Sequence, residues 1–239
     1  MTDLSPLDDP RIARGMATQL ALRRERLAAG ARSLGWKVGF GAPAALQKFA
    51  IDAPLVGFLT DRALLAPGAT ASVAGWTKPV AEPEVAVYLG RDLDPGADRD
   101  AARAAIAAIG PAIELADLDR PPEDVEAILA GNIYQRHVVL GPRDPTRAGC
   151  VLDGIAATVV RNGEVAARTA DPQALTGDYL DIVRHVARLL AACGERLRAG
   201  ELVITGSVVP PLFVAAGETV SFDLAPAGAV SVSFAGPDR

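Results

Sequence analysis

The sequence predicts an α+β fold: a helix-rich segment over residues 1–74, then a mixed β core over residues 75–239, in a single domain. Three observations predict it. Gly and Pro supply 23 and 18 of the 239 residues, so the chain turns often and a helix bundle is a poor reading. Aromatic residues are only 5%, so the core is built from Ala, Val, Leu and Ile. Helical periodicity dominates the first third, and short β-patterned runs recur after it.

The elements follow in order. Asp9-Pro10 is a cap followed by proline at the first helical position, and Ile12, Met16, Leu20 and Leu27 recur at helical spacing. This helix is expected to reach about Leu34. Trp36 to Phe40 reads as a short strand, Pro43 to Phe49 as a helix, Pro54 to Leu65 as a loop or short strand, and Ala69 to Ala74 as a strand. Val80 to Leu89 is a clear strand, rich in Val and Tyr. Alanine-rich Asp98 to Ile109 reads as a helix, Pro111 to Ala116 as a buried strand, Pro122 to Leu129 as a helix, and Arg136 to Leu140 as a strand. Ile155 to Val160 and Val165 to Thr169 flank Asn162-Gly163, a strong hairpin signal. A long amphipathic helix runs from about Tyr179 to Cys193, and Gly194 stops it. Glu201 to Thr205, Thr219 to Leu224 and Ala229 to Phe234 complete the strands.

Charge and composition exclude several classes. The net charge is −5, which gives no electrostatic footprint for nucleic acid or an anionic membrane. Arg11, Arg23, Arg24, Arg26 and Arg32 read as the solvated face of the first helix. Two cysteines and two histidines argue against a disulfide framework and against a His/Cys zinc site. Met1 to Pro10 is polar and acidic, without a signal pattern, and no apolar run is long enough to span a membrane. A soluble cytoplasmic protein is expected.

The chemistry concentrates in three segments. In Val80-Ala81-Glu82-Pro83-Glu84-Val85, strand alternation puts Glu82 and Glu84 on one face. Two adjacent carboxylates repel unless water, a proton or a cation separates them. Pro83 lacks an N–H and suggests an edge or irregular strand. A third carboxylate, Glu114, sits in the apolar run Pro111 to Asp117 and needs a partner if buried. Three carboxylates suit a hard divalent cation, with open positions for a substrate carrying two neighbouring oxygens. The alternative is a wet edge strand with Glu114 paired to an arginine. Lys37 lies between glycines in Gly35-Trp36-Lys37-Val38-Gly39, either partly desolvated and able to move protons, or simply exposed. Thr205-Gly206-Ser207 ends a strand and offers a hydroxyl and backbone N–H groups, or only a turn. Asn132, His137 and His185 read first as structural residues.

In chain order these segments are Gly-x-Lys-Val-Gly, Glu-x-Glu before an apolar strand and Gly-Arg-Asp-Leu, Pro-Ala-Ile-Glu-Leu, Gly-Asn with Val-Val-Leu-Gly, and Leu-x-Ala-Gly-Glu-Leu-Val-Ile-Thr-Gly. The set, over residues 34 to 235, resembles the fumarylacetoacetate hydrolase superfamily, within it the branch of 2-keto-4-pentenoate hydratases and 2-oxo-3-hexenedioate decarboxylases. The resemblance implies a β-rich, roll-like core with peripheral helices and an N-terminal helical segment, acting as one catalytic domain. It implies Mg²⁺ or Mn²⁺ held by Glu82, Glu84 and Glu114, Lys37 as the active-site lysine, and Asn132, Thr205 and Gly206 beside the substrate. It implies a small 2-oxo acid as substrate, hydrated as its dienol, and an assembly of several copies. Decarboxylation, C–C bond hydrolysis or a non-catalytic binding role are the alternatives on the same scaffold. One departure stands out. Typical hydratases of the branch carry Pro-Asp-Phe-Gly or Pro-Asp-Tyr-Gly where this chain has Pro54-Leu55-Val56-Gly57. Leucine cannot shuttle protons, and Asp52, three residues earlier, is the candidate substitute.

Overall fold

The computed structural model describes residues 6–121 and 123–236. In chain order it contains α1 (Pro10–Ala28), β1 (Ser33–Gly39), α2 (Pro43–Phe49), β2 (Leu55–Thr60), β3 (Leu64–Leu65), β4 (Thr70–Ser72), β5 (Pro79–Leu89), α3 (Arg99–Ala105), β6 (Ile106–Asp117), α4 (Val125–Ala130), β7 (Gln135–Leu140), β8 (Ala156–Arg161), β9 (Glu164–Thr169), α5 (Tyr179–Ala192), β10 (Leu202–Ser207), β11 (Leu212–Phe213), β12 (Thr219–Ala225) and β13 (Gly228–Ala235). Met1 to Ser5 and Pro122, part of the N-terminal lead and of the expected fourth helix, lie outside the described residues.

The large sheet has the order β2-β1-β10-β5-β6-β7-β3, with β11 also paired to β5, and curls into a half-barrel. The second sheet, β4-β13-β12-β8-β9, lies against β6 and β7 through β12 and β13. The first 74 residues carry α1 and α2, and also β1 to β4; three of these strands join the large sheet and one the small.

The local rules explain most elements. Asp9 caps α1 by accepting the Arg11 N–H at 2.8 Å, and Ile12, Met16 and Leu20 enter the core. The helix stops at Ala28 rather than near Leu34, because Gly30 turns into the left-handed region (φ 89°) and the chain re-enters as β1. Gln19, buried in α1, donates to the Val56 and Leu129 carbonyls and ties α1 to β2 and α4. Arg23 departs from the solvated face expected of it. It is buried, lies over the Trp36 ring at 4.7 Å and pairs with Glu195 at 3.2 Å.

The alanine-rich helix is shorter than its composition suggests. α3 ends at Ala105, and Ile106 to Ile109 join β6, where they pair with β5 from Leu89 back to Val87. Pairing of two long buried strands outweighs a helix preference of tenths of a kcal/mol per residue. β5 is an interior strand despite Pro83. The missing N–H is tolerated because β10 bulges between Ile204 and Ser207, opposite this point. The hairpin forms as expected: Asn162 and Gly163 both have positive φ, 53° and 83°, the two-residue turn that suits strand twist. No helix among the described residues is long and apolar enough to cross a membrane.

Candidate active site

Register assembles the site. Glu82 of β5 stands directly opposite Glu114 of β6, and Glu84 is two residues along on the same face. Lys37 of β1 pairs with Ile204 of β10, which pairs with Ala86 of β5, so the lysine shares that face. Below lies a small apolar cluster of Leu59, Ala86, Tyr88, Ala112, Val138 and Leu202. The half-barrel thus carries its charges on a dry floor.

The carboxylate oxygens of Glu82, Glu84 and Glu114 come within 4.8 Å of one another. Glu114 and Glu84 are 0% and 1% exposed, and Glu82 is half-buried. The Lys37 ammonium, on a side chain also 1% exposed, donates to Glu114 Oε1 at 2.5 Å and to the Ile133 carbonyl at 3.1 Å. An ammonium has three N–H groups, so one is left for another acceptor. The Gly206 N–H donates to Glu84 Oε2 at 2.6 Å; Gly206 sits in the β10 bulge at φ 89°, a conformation that favours glycine. Glu84 Oε1 and Glu114 Oε2 are buried with no hydrogen-bond partner. Two orphaned carboxylate oxygens beside a third carboxylate fit a hard, oxygen-seeking cation. Lys37, Glu82, Glu84 and Gly206 line a cavity of about 350 Å³, and Glu114 lies behind them.

Further residues complete this arrangement. A side chain at Gly57 would meet Lys37 Cγ and Asn132 Oδ1 at 2.9 Å, so glycine clears the lysine's path. Asn132, Ile133 and Tyr134 form a left-handed turn (φ 61°, 52° and 62°), unusual for a β-branched residue, and this turn carries the carbonyl that holds Lys37. Thr176, from the segment before α5, lines the cavity with a buried, unpartnered hydroxyl. The sequence hints at Gly57 only as the closing glycine of Pro54-Leu55-Val56-Gly57. Ile133, Tyr134 and the irregular segment 172–177 carry no such hint.

Other expected residues are placed elsewhere. Asn132 uses its amide on the Phe58 backbone, accepting from its N–H at 2.8 Å and donating to its carbonyl at 2.9 Å, and it does not line the cavity. Thr205 donates its hydroxyl to the Val85 carbonyl at 3.0 Å and lies behind Gly206. Asp52 is exposed and lines a different cavity of about 250 Å³, together with Leu55 and His185, so the structure does not bring it to Lys37. Its candidacy as a proton shuttle falls on that separation. The His185 ring lies 2.9 Å from the Pro54 carbonyl, and His137 stacks on Trp76; neither joins the carboxylates.

Burial pushes all three carboxyls above their ordinary range. Glu82 is raised by desolvation, and Glu84 far more, by desolvation and by the Glu114 and Glu82 charges. Glu114 is pushed up to about 7 by desolvation, against the opposing pull of Lys37. Folding therefore binds protons at this site, because the folded carboxyls keep protons that an unfolded chain loses near 4.5. The sign is that metal-free stability falls as pH rises from the unfolded value through about 7. Melting in EDTA is expected to occur at a lower temperature at about pH 8 than at about pH 5.5. An unchanged or higher melting temperature at the upper pH would refute the burial of these charges.

A curled half-barrel that gathers three carboxylates around one lysine fits a divalent cation. Residues 36–234 match the fumarylacetoacetate hydrolase C-terminal family model, and the chain belongs to that family. It is 30% identical to a 2-hydroxyhexa-2,4-dienoate hydratase of Comamonas testosteroni, over 97% of this chain and 90% of the relative. It is 27% identical to a 4-oxalocrotonate decarboxylase of Pseudomonas putida, over 90% of this chain and 83% of that one. Among solved structures, the 4-oxalocrotonate decarboxylase from Pseudomonas putida G7, complexed with magnesium and adipate, superposes with a TM-score of 0.85. The identity is 25%, and the match covers 97% of this chain and 90% of the other.

Proposed function

We propose that this protein is a divalent-metal-dependent lyase that adds water to a small 2-hydroxy-dienoic acid, as a 2-keto-4-pentenoate hydratase does. One observation carries the reading: the orphaned oxygens of Glu84 and Glu114 lie beside Glu82 and the ion-paired Lys37, at a cavity of ligand size. The hydratase and decarboxylase names of the relatives, and the magnesium in the solved decarboxylase, support it.

Glu82, Glu84 and Glu114 would hold Mg²⁺ or Mn²⁺. When bound, such a cation supplies Lewis-acid stabilisation of negative charge on the oxygens of a 2-oxo acid. The remaining work belongs to the chain. Gly206 fixes Glu84, and Glu114 fixes Lys37. Lys37 moves a proton between the dienol and keto forms, using the N–H that Glu114 and Ile133 leave unclaimed. Residues from both sides of position 75 line this cavity, which supports one catalytic unit over the whole chain. A cytoplasmic setting suits its two unbridged cysteines.

A decarboxylase is the second reading, and the scarcity of further acids among the described lining residues favours it. Apart from the carboxylate cluster, no carboxylic acid among the described residues lines the cavity, and Asp52 lies at the other one. Incubation with 2-hydroxypenta-2,4-dienoate and Mg²⁺, followed by NMR, is expected to show 4-hydroxy-2-oxopentanoate, and none in excess EDTA. Release of CO₂ from 2-oxo-3-hexenedioate, without hydration of the dienoate, would move the assignment to the second reading. Full activity in excess EDTA would sink both.

A further inference from the structure

Beyond its charged floor, the cavity has walls of one character. Val80, Ala116, Leu118, Val209, Pro210 and Pro211 line it. Phe40, Ala45, Ile133 and Leu175 add to the apolar lining. Among the described lining residues Lys37 is the one cation, and Glu114 already holds it. The lining has no arginine and no histidine. Its hydroxyls are largely committed, since Tyr134 donates to the Arg120 carbonyl at 3.2 Å and Ser207 to the Pro83 carbonyl at 3.3 Å. Among the described lining residues, only the Thr176 hydroxyl lacks a partner. Neighbouring cations are engaged elsewhere: Arg136 with Asp119 at 2.6 Å, Arg120 on the Ala127 carbonyl, and Lys78 over the Phe213 ring at 4.6 Å.

From this lining we infer that the site selects 2-oxo monoacids with an uncharged, apolar tail and discriminates against 2-oxo diacids. The inference rests on the functional reading above and narrows its substrate class. A 2-oxo acid head brings its own negative charge to a floor whose three carboxylates face a single lysine. A divalent cation brings that floor close to neutral, with nothing left to balance a second carboxylate. At the far end of the ligand, that carboxylate would lose its water among Val, Leu and Pro side chains and find no donor with a charge, an expensive transfer. An alkyl or alkenyl tail loses nothing there and gains from leaving water. Thr176 can serve one neutral or carboxylate oxygen, but a lone hydroxyl does not replace a guanidinium fork. The same argument bears on the choice of reaction. Decarboxylation of a diacid needs its second carboxylate inside the cavity, and the lining supplies it no counter-charge.

Calorimetric titration of the wild-type protein with 2-oxohexanoate and with 2-oxoadipate, each with Mg²⁺ and with EDTA, tests this directly. The two probes share the head and the six-carbon length, and differ in a terminal methyl against a carboxylate. Oxalate serves as the head group alone. With Mg²⁺, 2-oxohexanoate is expected to bind at least about tenfold more tightly than 2-oxoadipate, a difference of about 1.4 kcal/mol. Equal binding, or tighter binding of the diacid, overturns the inference while leaving the cation-dependent 2-oxo acid site intact. Oxalate binding without either longer acid also overturns it, because the walls then accept no tail. If none of the three binds with Mg²⁺, the functional reading fails and the inference fails with it.

Discussion

Replacing Lys37 by methionine is expected to lower turnover by about 10³-fold without weakening Mg²⁺ binding, the loss that follows removal of a positioned acid–base group. Methionine keeps the length and apolar stem of the side chain, so the channel cleared by Gly57 stays filled. The ammonium disappears, and with it the proton carrier and the partner of Glu114. Breaking one side of a fully buried ion pair leaves an uncompensated carboxylate, which destabilises by about 3–5 kcal/mol. That penalty applies to the metal-free protein. An added divalent cation would offset part of it, because the floor has gained net negative charge. Mg²⁺ affinity is therefore expected to hold or rise as turnover falls. Calorimetry with Mg²⁺ beside a rate measurement separates the two effects. A joint collapse of Mg²⁺ affinity and rate would make Lys37 a structural support for the carboxylates and no proton carrier.

Replacing Glu84 by glutamine is expected to weaken Mg²⁺ binding about 100-fold or more, equal to about 2.7 kcal/mol, and to remove activity with it. The amide oxygen can still accept the Gly206 N–H, so the bulge in β10 is preserved. The metal-free protein is expected to move the other way. Glu84 sits far above its ordinary pKa because burial and two neighbouring carboxylates oppose its charge. A raised carboxyl works against the fold once pH exceeds its unfolded value. The glutamine variant should therefore melt at a higher temperature than the wild type at about pH 8 in EDTA, with the gap closing at about pH 5. A variant that is less stable at both pH values would show that Glu84 supports the fold instead of straining it.

How far the sequence speaks for these residues varies with the physics of each. Glu82 and Glu84 share a face by simple alternation, and that much is local. Their meeting with Glu114 depends on the register between β5 and β6, and a slip of one residue would turn the partner away. Lys37 is flagged by its flanking glycines. Its contact with Glu114, however, needs β10 inserted between β1 and β5, a long-range arrangement that no local signal reports. The misreadings have the same origin. Ile106 to Ile109 follow their strand partner rather than their alanine-rich context, and Pro83 sits inside the sheet because a neighbour bulges. Asn132, set beside the substrate by its place in the motif and read as structural from its own surroundings, makes two hydrogen bonds to the Phe58 backbone that hold β2. Asp52 and Leu55 line one and the same cavity, and it is not the cavity that holds Lys37. Leu175, Thr176 and the wall residues Val209, Pro210 and Pro211 come from irregular segments, where neither period nor propensity points to a role.

The central claim is that Glu82, Glu84 and Glu114 form a working divalent-cation site that receives the head of a 2-oxo acid. Calorimetric titration with oxalate, in the presence and absence of Mg²⁺, tests it most directly, because oxalate presents the two adjacent oxygens of such a head. Binding that requires Mg²⁺ and disappears in the Glu84→Gln variant is the predicted result. Oxalate binding that is the same with Mg²⁺ and with EDTA, or no binding with either Mg²⁺ or Mn²⁺, would contradict it.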